Sequence, residues 1–212
     1  VAAGEQLVGL HIGDAYAPPP YDLPFDASFL HGHSAFHRYC DTFGVSAFRD
    51  ALVAKVGDDN ALPASRENVL VTAGATNALS ATVQALVDSG DDVMVLSPYW
   101  PFFRGMVRAA GGNVVEVPLY TTIYRHPNAD VSVTLESRLT PKTVALYLNS
   151  PNNPSGKVLS RTQLEAVANF AKPHDPWLVS DEAYDGMTFD GRRHVSPGSF
   201  DGMFERTVSV FT

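Results

Sequence analysis

Two segments of the chain place small or aromatic residues directly after short apolar runs. In residues 72–77, Gly74, Ala75 and Thr76 precede a helical pattern. Glycine permits close backbone approach, and the first turn of a helix presents free N–H groups beside the Thr76 hydroxyl. These features favour binding of a phosphate without a basic side chain, although a plain strand–turn–helix with Thr76 as N-cap stays open. In residues 97–101, Trp100 lies between prolines, where its ring can stack on a flat ligand or simply join the core.

Two later segments add an amide, a carboxylate and a phenol. Residues 149–156 read "NSPNNPSG"; turn chemistry explains the prolines and the glycine but does not require Asn153. Asp181 follows the apolar run "PWLV", and Tyr184 comes three residues later. A carboxylate at the end of a buried strand is unfavourable unless a cation or a donor meets it. The alternative is that Asp181 is a helix N-cap.

Taken together, the four segments describe one ligand. They offer a phosphate site, an aromatic plate, an amide donor and a carboxylate–phenol pair, in that order along the chain. A phosphorylated heterocycle whose ring nitrogen needs an anion and whose ring hydroxyl needs donors matches this set. The sequence therefore predicts pyridoxal 5′-phosphate as the cofactor.

The elements that carry these residues are predicted from apolar periodicity. Apolar runs that are not alternating indicate strands buried on both faces, and the helical patterns between them indicate a mostly parallel sheet covered on both sides. In such a sheet the ligand lies at the carboxyl ends of the strands. Strands are predicted over residues 68–73, 92–97, 113–117, 143–148, 177–180 and 206–211, and helices over 45–56, 76–88, about 100–110 and 160–171.

Composition excludes several classes of partner. The 212 residues carry a formal net charge of −8 with scattered basic residues, which argues against nucleic acid and anionic membranes. No apolar run approaches a membrane span, and the amino terminus "VAAGEQLVGL" does not have the form of a signal peptide. The one cysteine, Cys40, fits a reducing compartment, so we expect a cytoplasmic protein. His31, His33, His37 and Cys40 match no common zinc spacing, and no metal site is predicted.

At this point the sequence resembles the class I/II aminotransferases of the aspartate aminotransferase superfamily, whose fold is pyridoxal-phosphate fold type I. The resemblance rests on "TAGATNAL", "SPYWPFF", "NSPNNPSG" and "VSDEAYDGM", which occur in the family's order and approximate spacing, and on Tyr39 followed by Gly44 and Phe48-Arg49. It implies a three-layer α/β/α large domain that is incomplete on its carboxy-terminal side. Residues 1–40 are expected to be an entry segment within the small domain or active-site cover, and residues 41–212 a partial cofactor-binding domain.

The resemblance also implies roles for the cofactor-binding residues. Gly74, Ala75 and Thr76 are expected to bind the phosphate, and Trp100 is expected to stack on the pyridine ring. Asp181 is expected to pair with the ring nitrogen and keep it protonated.

Four further roles are carried over in the same way. Asn153 and Tyr184 are expected to hydrogen-bond the phenolic oxygen of the cofactor, which makes Asp181 and Tyr184 the catalytic residues of this chain. Gly13 and Asn153 are expected to contribute to the substrate site. Tyr39 is expected to reach the phosphate of a partner subunit, which implies a homodimer.

One departure from the family concerns the lysine that binds the cofactor covalently. In the family this lysine follows a short strand that resembles "RTVSVFT", at residues 206–212, and Lys55, Lys142, Lys157 and Lys172 all lie in other contexts. None of them is assigned to this role. We therefore expect the 212 residues to be an incomplete record of a longer chain and to be inactive alone.

Three functions remain open from the sequence. The first is an aminotransferase that moves an amino group between an amino acid and a 2-oxo acid. The second is a lyase or synthase of the same fold, such as a C–S lyase or an enzyme like aminocyclopropane-carboxylate synthase. The third is a non-catalytic, aminotransferase-like sensor domain, against which stands the lack of a basic helix-turn-helix segment in these residues.

Overall fold

The structure is a computed structural model that describes residues 18, 27–32 and 38–212. The chain divides into two compact units, Val1–Cys40 and Asp41–Thr212. The first unit contains helix α1 (Ala27–Gly32), which lies in the expected entry segment. Gly13 lies outside the described residues. The roles expected of residues 1–40 and of residues 41–212 stay predictions.

The second unit alternates helices with strands. Its strands are β1 (Asp92–Leu96), β2 (Asn113–Val117), β3 (Thr143–Asn149), β4 (Trp177–Asp181) and β5 (Thr207–Val210). Its α-helices are α2 (Ser46–Asn60), α3 (Gly74–Leu86), α4 (Phe102–Ala109), α5 (Leu119–Arg125), α6 (Val131–Glu136) and α7 (Arg161–His174). Three short 3-10 helices complete it: Arg66–Asn68, Pro197–Ser199 and Phe204–Arg206.

The five strands form one parallel sheet in the order β2-β1-β3-β4-β5. Successive residues of a strand point to opposite faces, so an apolar run supplies two cores. Met94 and Leu96 of β1 join the cluster that contains α5, α6 and α7, whereas Val93 and Val95 join the cluster that contains α3 and α4. This arrangement confirms the predicted three-layer α/β/α architecture with helices on both faces of a parallel sheet.

A capping box opens α7. The Ser160 hydroxyl accepts from the Gln163 N–H at 3.2 Å, and the Gln163 side chain accepts from the Ser160 N–H at 3.0 Å. This reciprocal pair satisfies two donors that a helix start otherwise leaves free. The apolar side of α7 then packs on the sheet through residues that include Leu164 and Val167, both fully buried.

The strand predicted over residues 68–73 is wrong, because a strand requires a partner. Residues 69–73 are not part of the sheet, and Val71 donates its N–H to Phe43 O at 3.0 Å. Between this segment and β5, the last strand of the described sheet, runs a largely apolar groove of about 810 Å³. We call it the edge groove; it is lined by Val69, Leu70, Val71, Thr72, Thr207, Val208, Ser209, Val210 and further side chains of both flanks.

Helices α5 and α6 are absent from the prediction because their sequences, "LYTTIYR" and "VSVTLE", are short and rich in β-branched residues. Tertiary contacts override this weak propensity. Helix α5 buries Leu119, Tyr120 and Ile123. At the start of α6, the Asp130 carboxylate accepts from the Ser132 N–H at 2.8 Å.

Among the residues described, no helix has both the length and the apolar character needed to cross a membrane.

Candidate active site

The sheet reverses its direction of growth beside β1. From β1 the chain moves outward to β2 on one side, and it then returns to place β3 on the other side. Loops that leave neighbouring strands in opposite directions open a crevice at the carboxyl ends, where ligands of such sheets bind. Two of the predicted segments, residues 97–101 and 149–156, are these loops. Asn152 joins them by donating its side-chain N–H to Pro98 O at 3.1 Å.

Asp181 ends β4 beside Asn149, the last residue of β3. Its side chain is buried, and its oxygens accept from the Tyr147 hydroxyl at 2.7 Å and the Ala183 N–H at 3.3 Å. Burial raises the pKa of the Asp181 carboxyl, and the Tyr147 hydrogen bond opposes this shift. No basic side chain of residues 38–212 forms an ion pair with Asp181. The carboxylate is therefore buried with neutral donors alone.

Asp181 is not a helix N-cap, which removes that alternative. The residues after it form a turn in which the Asp185 N–H donates to Glu182 O at 3.0 Å. A turn keeps Tyr184 within reach of the loop after β3. The Asn153 side-chain N–H donates to the Tyr184 hydroxyl at 3.4 Å.

Tyr147 belongs to the site although the sequence reasoning did not select it. It is fully buried in β3, and its ring stacks on Phe103 of α4 with centroids 3.7 Å apart. Burial raises the pKa of its hydroxyl, which the neighbouring Asp181 carboxylate raises further. The signal in the sequence was a phenol inside the aliphatic run "VALYLN", since a buried phenol needs a hydrogen-bond partner.

Asn149 was also missed, and it sets the position of Asn153. Its side-chain oxygen accepts from the Asn153 N–H at 2.6 Å, and its side-chain N–H donates to Asp181 O at 3.0 Å. One buried amide thus ties the loop after β3 to the end of β4. The peptide bonds before Pro98, Pro151 and Pro154, all within these two loops, are cis.

The third predicted segment forms the start of α3. The helix begins at Gly74, whose φ of 73° suits glycine, and the preceding N-cap Ala73 offers no side-chain cap. A helix start leaves N–H groups free for an anion. Because the helix begins two residues before Thr76, the alternative of Thr76 as N-cap is wrong.

Thr76 and Trp100 meet at one cavity of about 430 Å³, together with Phe102 and residues of α4. Trp100 is half-buried and packs against the core cluster of α3 and α4, with its ring 5.1 Å from that of Phe102. It therefore combines core packing with an accessible surface.

Tyr39 and Gly13 belong to the first of the two units. Tyr39 is fully exposed, and Gly13, His33 and His37 lie outside the described part of the chain. Among the described residues, no group of three His, Cys, Asp or Glu side chains is arranged to hold a metal ion.

The four lysines lie on helices or beside β3. Lys55 and Lys172 lie on α2 and α7, and Lys55 forms an ion pair with Asp185. Lys142 immediately precedes β3, and Lys157 follows the loop after it.

Comparison with known proteins finds relatives over nearly all of the chain. The family model described as aminotransferase class I and II matches residues 25–207. An aspartate/prephenate aminotransferase of Thermus thermophilus is 42% identical over 198 residues, which are 92% of this chain and 49% of that protein. Human kynurenine–oxoglutarate transaminase 1 is 36% identical over 222 residues, covering 99% of this chain and 52% of the human protein.

Solved structures give the same result. Aspartate aminotransferase from Thermus thermophilus with maleate superimposes with a TM-score of 0.77 at 39% identity, over 87% of this chain and 46% of that chain. An aromatic aminotransferase from Pyrococcus horikoshii superimposes with a TM-score of 0.78 at 33% identity, over 91% of this chain and 52% of that one. The chain thus spans about half the length of the relatives that it matches.

Proposed function

Because the chain belongs to the class I and II aminotransferase family, we propose that the complete protein is a pyridoxal-phosphate-dependent aminotransferase. It moves an amino group between an amino acid and a 2-oxo acid. Relatives named for aspartate/prephenate, arginine–pyruvate and kynurenine–oxoglutarate transamination support this reaction class.

The observation that carries the proposal is the burial of the Asp181 carboxylate without an ion pair in residues 38–212. A carboxylate that is buried with neutral donors alone is unfavourable by itself, and a cationic ligand stabilises it. The protonated ring nitrogen of pyridoxal phosphate is such a cation. With that nitrogen protonated, the cofactor withdraws electrons from the substrate. Asp181 holds the proton on the ring, and Tyr147 orients Asp181 by donating to its carboxylate.

The remaining residues bind and orient the same molecule. Gly74, Ala75 and Thr76 bind the phosphate. The Ala75 and Thr76 N–H groups and the Thr76 hydroxyl donate to it, whereas the Gly74 N–H donates to Thr72 O at 2.9 Å and the glycine allows close approach of the backbone. Trp100 covers one face of the ring. The Tyr184 phenol and the Asn153 amide, which already meet each other, both donate to the ring's phenolic oxygen. These residues therefore match the phosphate, the ring nitrogen and the phenolic oxygen of the cofactor.

In the proposal, the lysine that binds the cofactor covalently belongs to the complete protein and not to these 212 residues. We assign none of the four lysines of this chain to covalent binding of the cofactor. Gly13 and Asn153 contribute to the substrate site, and Tyr39 reaches the phosphate of a partner subunit in a homodimer.

The test of the proposed function uses the full-length protein. Pyridoxal phosphate added to the cofactor-free enzyme is expected to give a visible absorption band that changes on addition of an amino donor. A panel of amino acids, followed by a panel of 2-oxo acids, identifies the donor and the acceptor from the loss and recovery of this band. A full-length preparation that never develops the band contradicts the proposal. Release of ammonia or a thiol without any 2-oxo acid acceptor would instead identify a lyase.

The proposed homodimer has its own test. Sedimentation of the full-length enzyme at assay concentration is expected to give a dimer. Tyr39→Phe is expected to weaken cofactor binding without dissociating the dimer. An active monomer contradicts the role of Tyr39.

A further inference from the structure

Glu182 follows Asp181 directly, and the proposed chemistry has no use for its carboxylate. Its side chain is 0% exposed. Its N–H continues the β4–β5 pairing by donating to Val210 O at 2.8 Å. A buried carboxylate requires donors, and here they come from a distant loop. His194 Nε2 lies 2.6 Å from Glu182 Oε2, and the Ser196 hydroxyl donates to the same oxygen.

The direction of these hydrogen bonds follows from their chemistry. A carboxylate oxygen only accepts hydrogen bonds, so Nε2 of His194 is assigned as the donor in its contact with Oε2. The His194 side chain is only 6% exposed, so water does not replace its contact with Glu182. Oε1 of Glu182 and Nδ1 of His194 have no hydrogen-bond partner within residues 38–212. In this part of the chain, Oε2 thus accepts all the hydrogen bonds of the Glu182 carboxylate.

The same network also contacts Asp185, at the end of the turn that begins at Glu182. Ser196 Oγ accepts at 3.0 Å from the side-chain N–H of Asn60, the last residue of α2. That amide also donates to Asp185 Oδ2 at 3.3 Å, and Lys55 pairs with the same carboxylate. The turn that begins at Glu182 and ends at Asp185 is therefore fastened at both ends by buried or half-buried polar contacts.

Tyr184 lies inside this turn, and Asp181 immediately precedes it. The Ala183 N–H, also in the turn, donates to Asp181 Oδ1, so a shift of the turn removes a donor from Asp181 as well. We infer that Glu182 is a positioning residue: through His194 it holds the Asp181 carboxylate and the Tyr184 phenol where the cofactor needs them. This inference rests on the proposed function, since the cofactor gives the two groups their common target.

Glu182→Gln in the full-length protein tests the inference, because it removes the charge with little change in volume. We expect the Kd for pyridoxal phosphate, titrated into cofactor-free enzyme, to rise about tenfold, and kcat to fall about tenfold, as for other residues that orient a binding group. The KM for the amino donor is expected to stay within about twofold, because the substrate contacts are not changed. Amide hydrogen exchange of residues 181–187 in cofactor-free enzyme is expected to accelerate about tenfold.

Glu165→Gln is the matched control, since Glu165 is an exposed carboxylate on α7 that pairs with Arg161. It is expected to leave the Kd, kcat and exchange unchanged. If Glu182→Gln does not fold, Ser196→Ala removes one donor and is expected to shift the same quantities less. Wild-type values of Kd, kcat and exchange in Glu182→Gln, or in Ser196→Ala where Glu182→Gln does not fold, overturn the inference. If wild-type enzyme does not bind the cofactor, the proposed function fails, while the exchange experiment still decides whether Glu182 holds the turn.

Discussion

At the scale of single residues, Asp181 is a buried carboxylate that forms no ion pair within residues 38–212. Burial in the sheet raises the pKa of its carboxyl, and the donors Tyr147 and Ala183 stabilise the charged form without neutralising it. In the proposed function, a protonated heterocycle completes this environment. We therefore expect the residue to reduce the stability of the cofactor-free fold at neutral pH and to contribute binding energy for the proposed cofactor.

The first prediction concerns turnover. Asp181→Ala in the full-length enzyme is expected to lower kcat by at least about a hundredfold, because the charge that stabilises the protonated ring is removed. Steady-state assay with the donor found by the panel measures this loss. Asp201→Asn, an exposed acid in a loop after β4, serves as the control and is expected to retain wild-type turnover. Near-normal turnover of Asp181→Ala would contradict the role of Asp181.

The second prediction concerns stability and pH. Because the folded-state pKa of Asp181 is raised, its favourable contribution is fully present below the unfolded-state pKa and is lost as the pH rises through the folded-state pKa. Asp181→Asn, which has no such titration, is expected to be more stable than cofactor-free wild type at pH 7 by on the order of 1 kcal/mol.

This advantage should shrink as the pH falls through the folded-state pKa, and it should vanish below the ordinary pKa of an aspartate carboxyl, 3.8. Urea unfolding of the cofactor-free full-length proteins at a series of pH values measures the difference. A difference that is constant with pH, or that grows in acid, would show that Asp181 is not destabilised by burial.

At the scale of elements, the start of α3 is the feature that depends most on backbone conformation. Gly74 has a φ of 73°, and a Cβ added there meets no atom within 4 Å. The glycine is therefore required by its backbone angle and not by lack of space. The angle turns the extended segment 69–73 into the helix whose free N–H groups are proposed to bind the phosphate.

The third prediction compares two glycines. Gly74→Ala is expected to destabilise the protein by about 1 kcal/mol, because alanine is strained at positive φ. Gly105→Ala, inside α4 where a Cβ also meets no atom within 4 Å, is expected to stabilise it by roughly 0.5–1 kcal/mol, because alanine favours the helix. Urea unfolding of both variants gives the two free-energy changes. Changes of the same sign would contradict this account of Gly74.

At the scale of the whole molecule, the order of the strands determines where the chemistry is placed. The change of direction beside β1 sets the loops after β1 and β3 against each other, and β4 brings Asp181 next to them. A second feature at this scale is the edge groove, which lies beside β5 at the edge of the described sheet. There the outer edge of β5 and residues 69–72 present apolar side chains such as Leu70, which is 55% exposed.

The fourth prediction addresses this surface. The 212-residue chain is expected to bind the dye ANS and to self-associate. Within the described residues, the outer edge of β5 has no strand partner and lies beside exposed apolar side chains, which favours both. Leu70→Lys is expected to reduce ANS fluorescence at least about twofold with little change in the unfolding midpoint. Val133→Lys, at an exposed position on α6, is the control and should leave the fluorescence unchanged. Equal fluorescence of the two variants would exclude the edge groove as the binding surface.

The sequence by itself determined the architecture and the main residues of the candidate site. Runs that are apolar on both faces require covering on both sides, and helices between them make the strands parallel. Polar residues just after such runs then lie at one edge of the sheet. The position of Asn153, Asp181 and Tyr184 just after such runs was enough to identify them as candidate site residues.

Only the tertiary structure decided which side chains meet. Tyr147 contacts Asp181 across 34 residues of chain, and His194 contacts Glu182 across 12. Periodicity indicates the face of an element on which a residue lies, but not its partner on another element. The extended segment 69–73 fails as a strand for the same reason. Pairing and burial depend on groups that are distant in the chain, and folding alone brings these groups together.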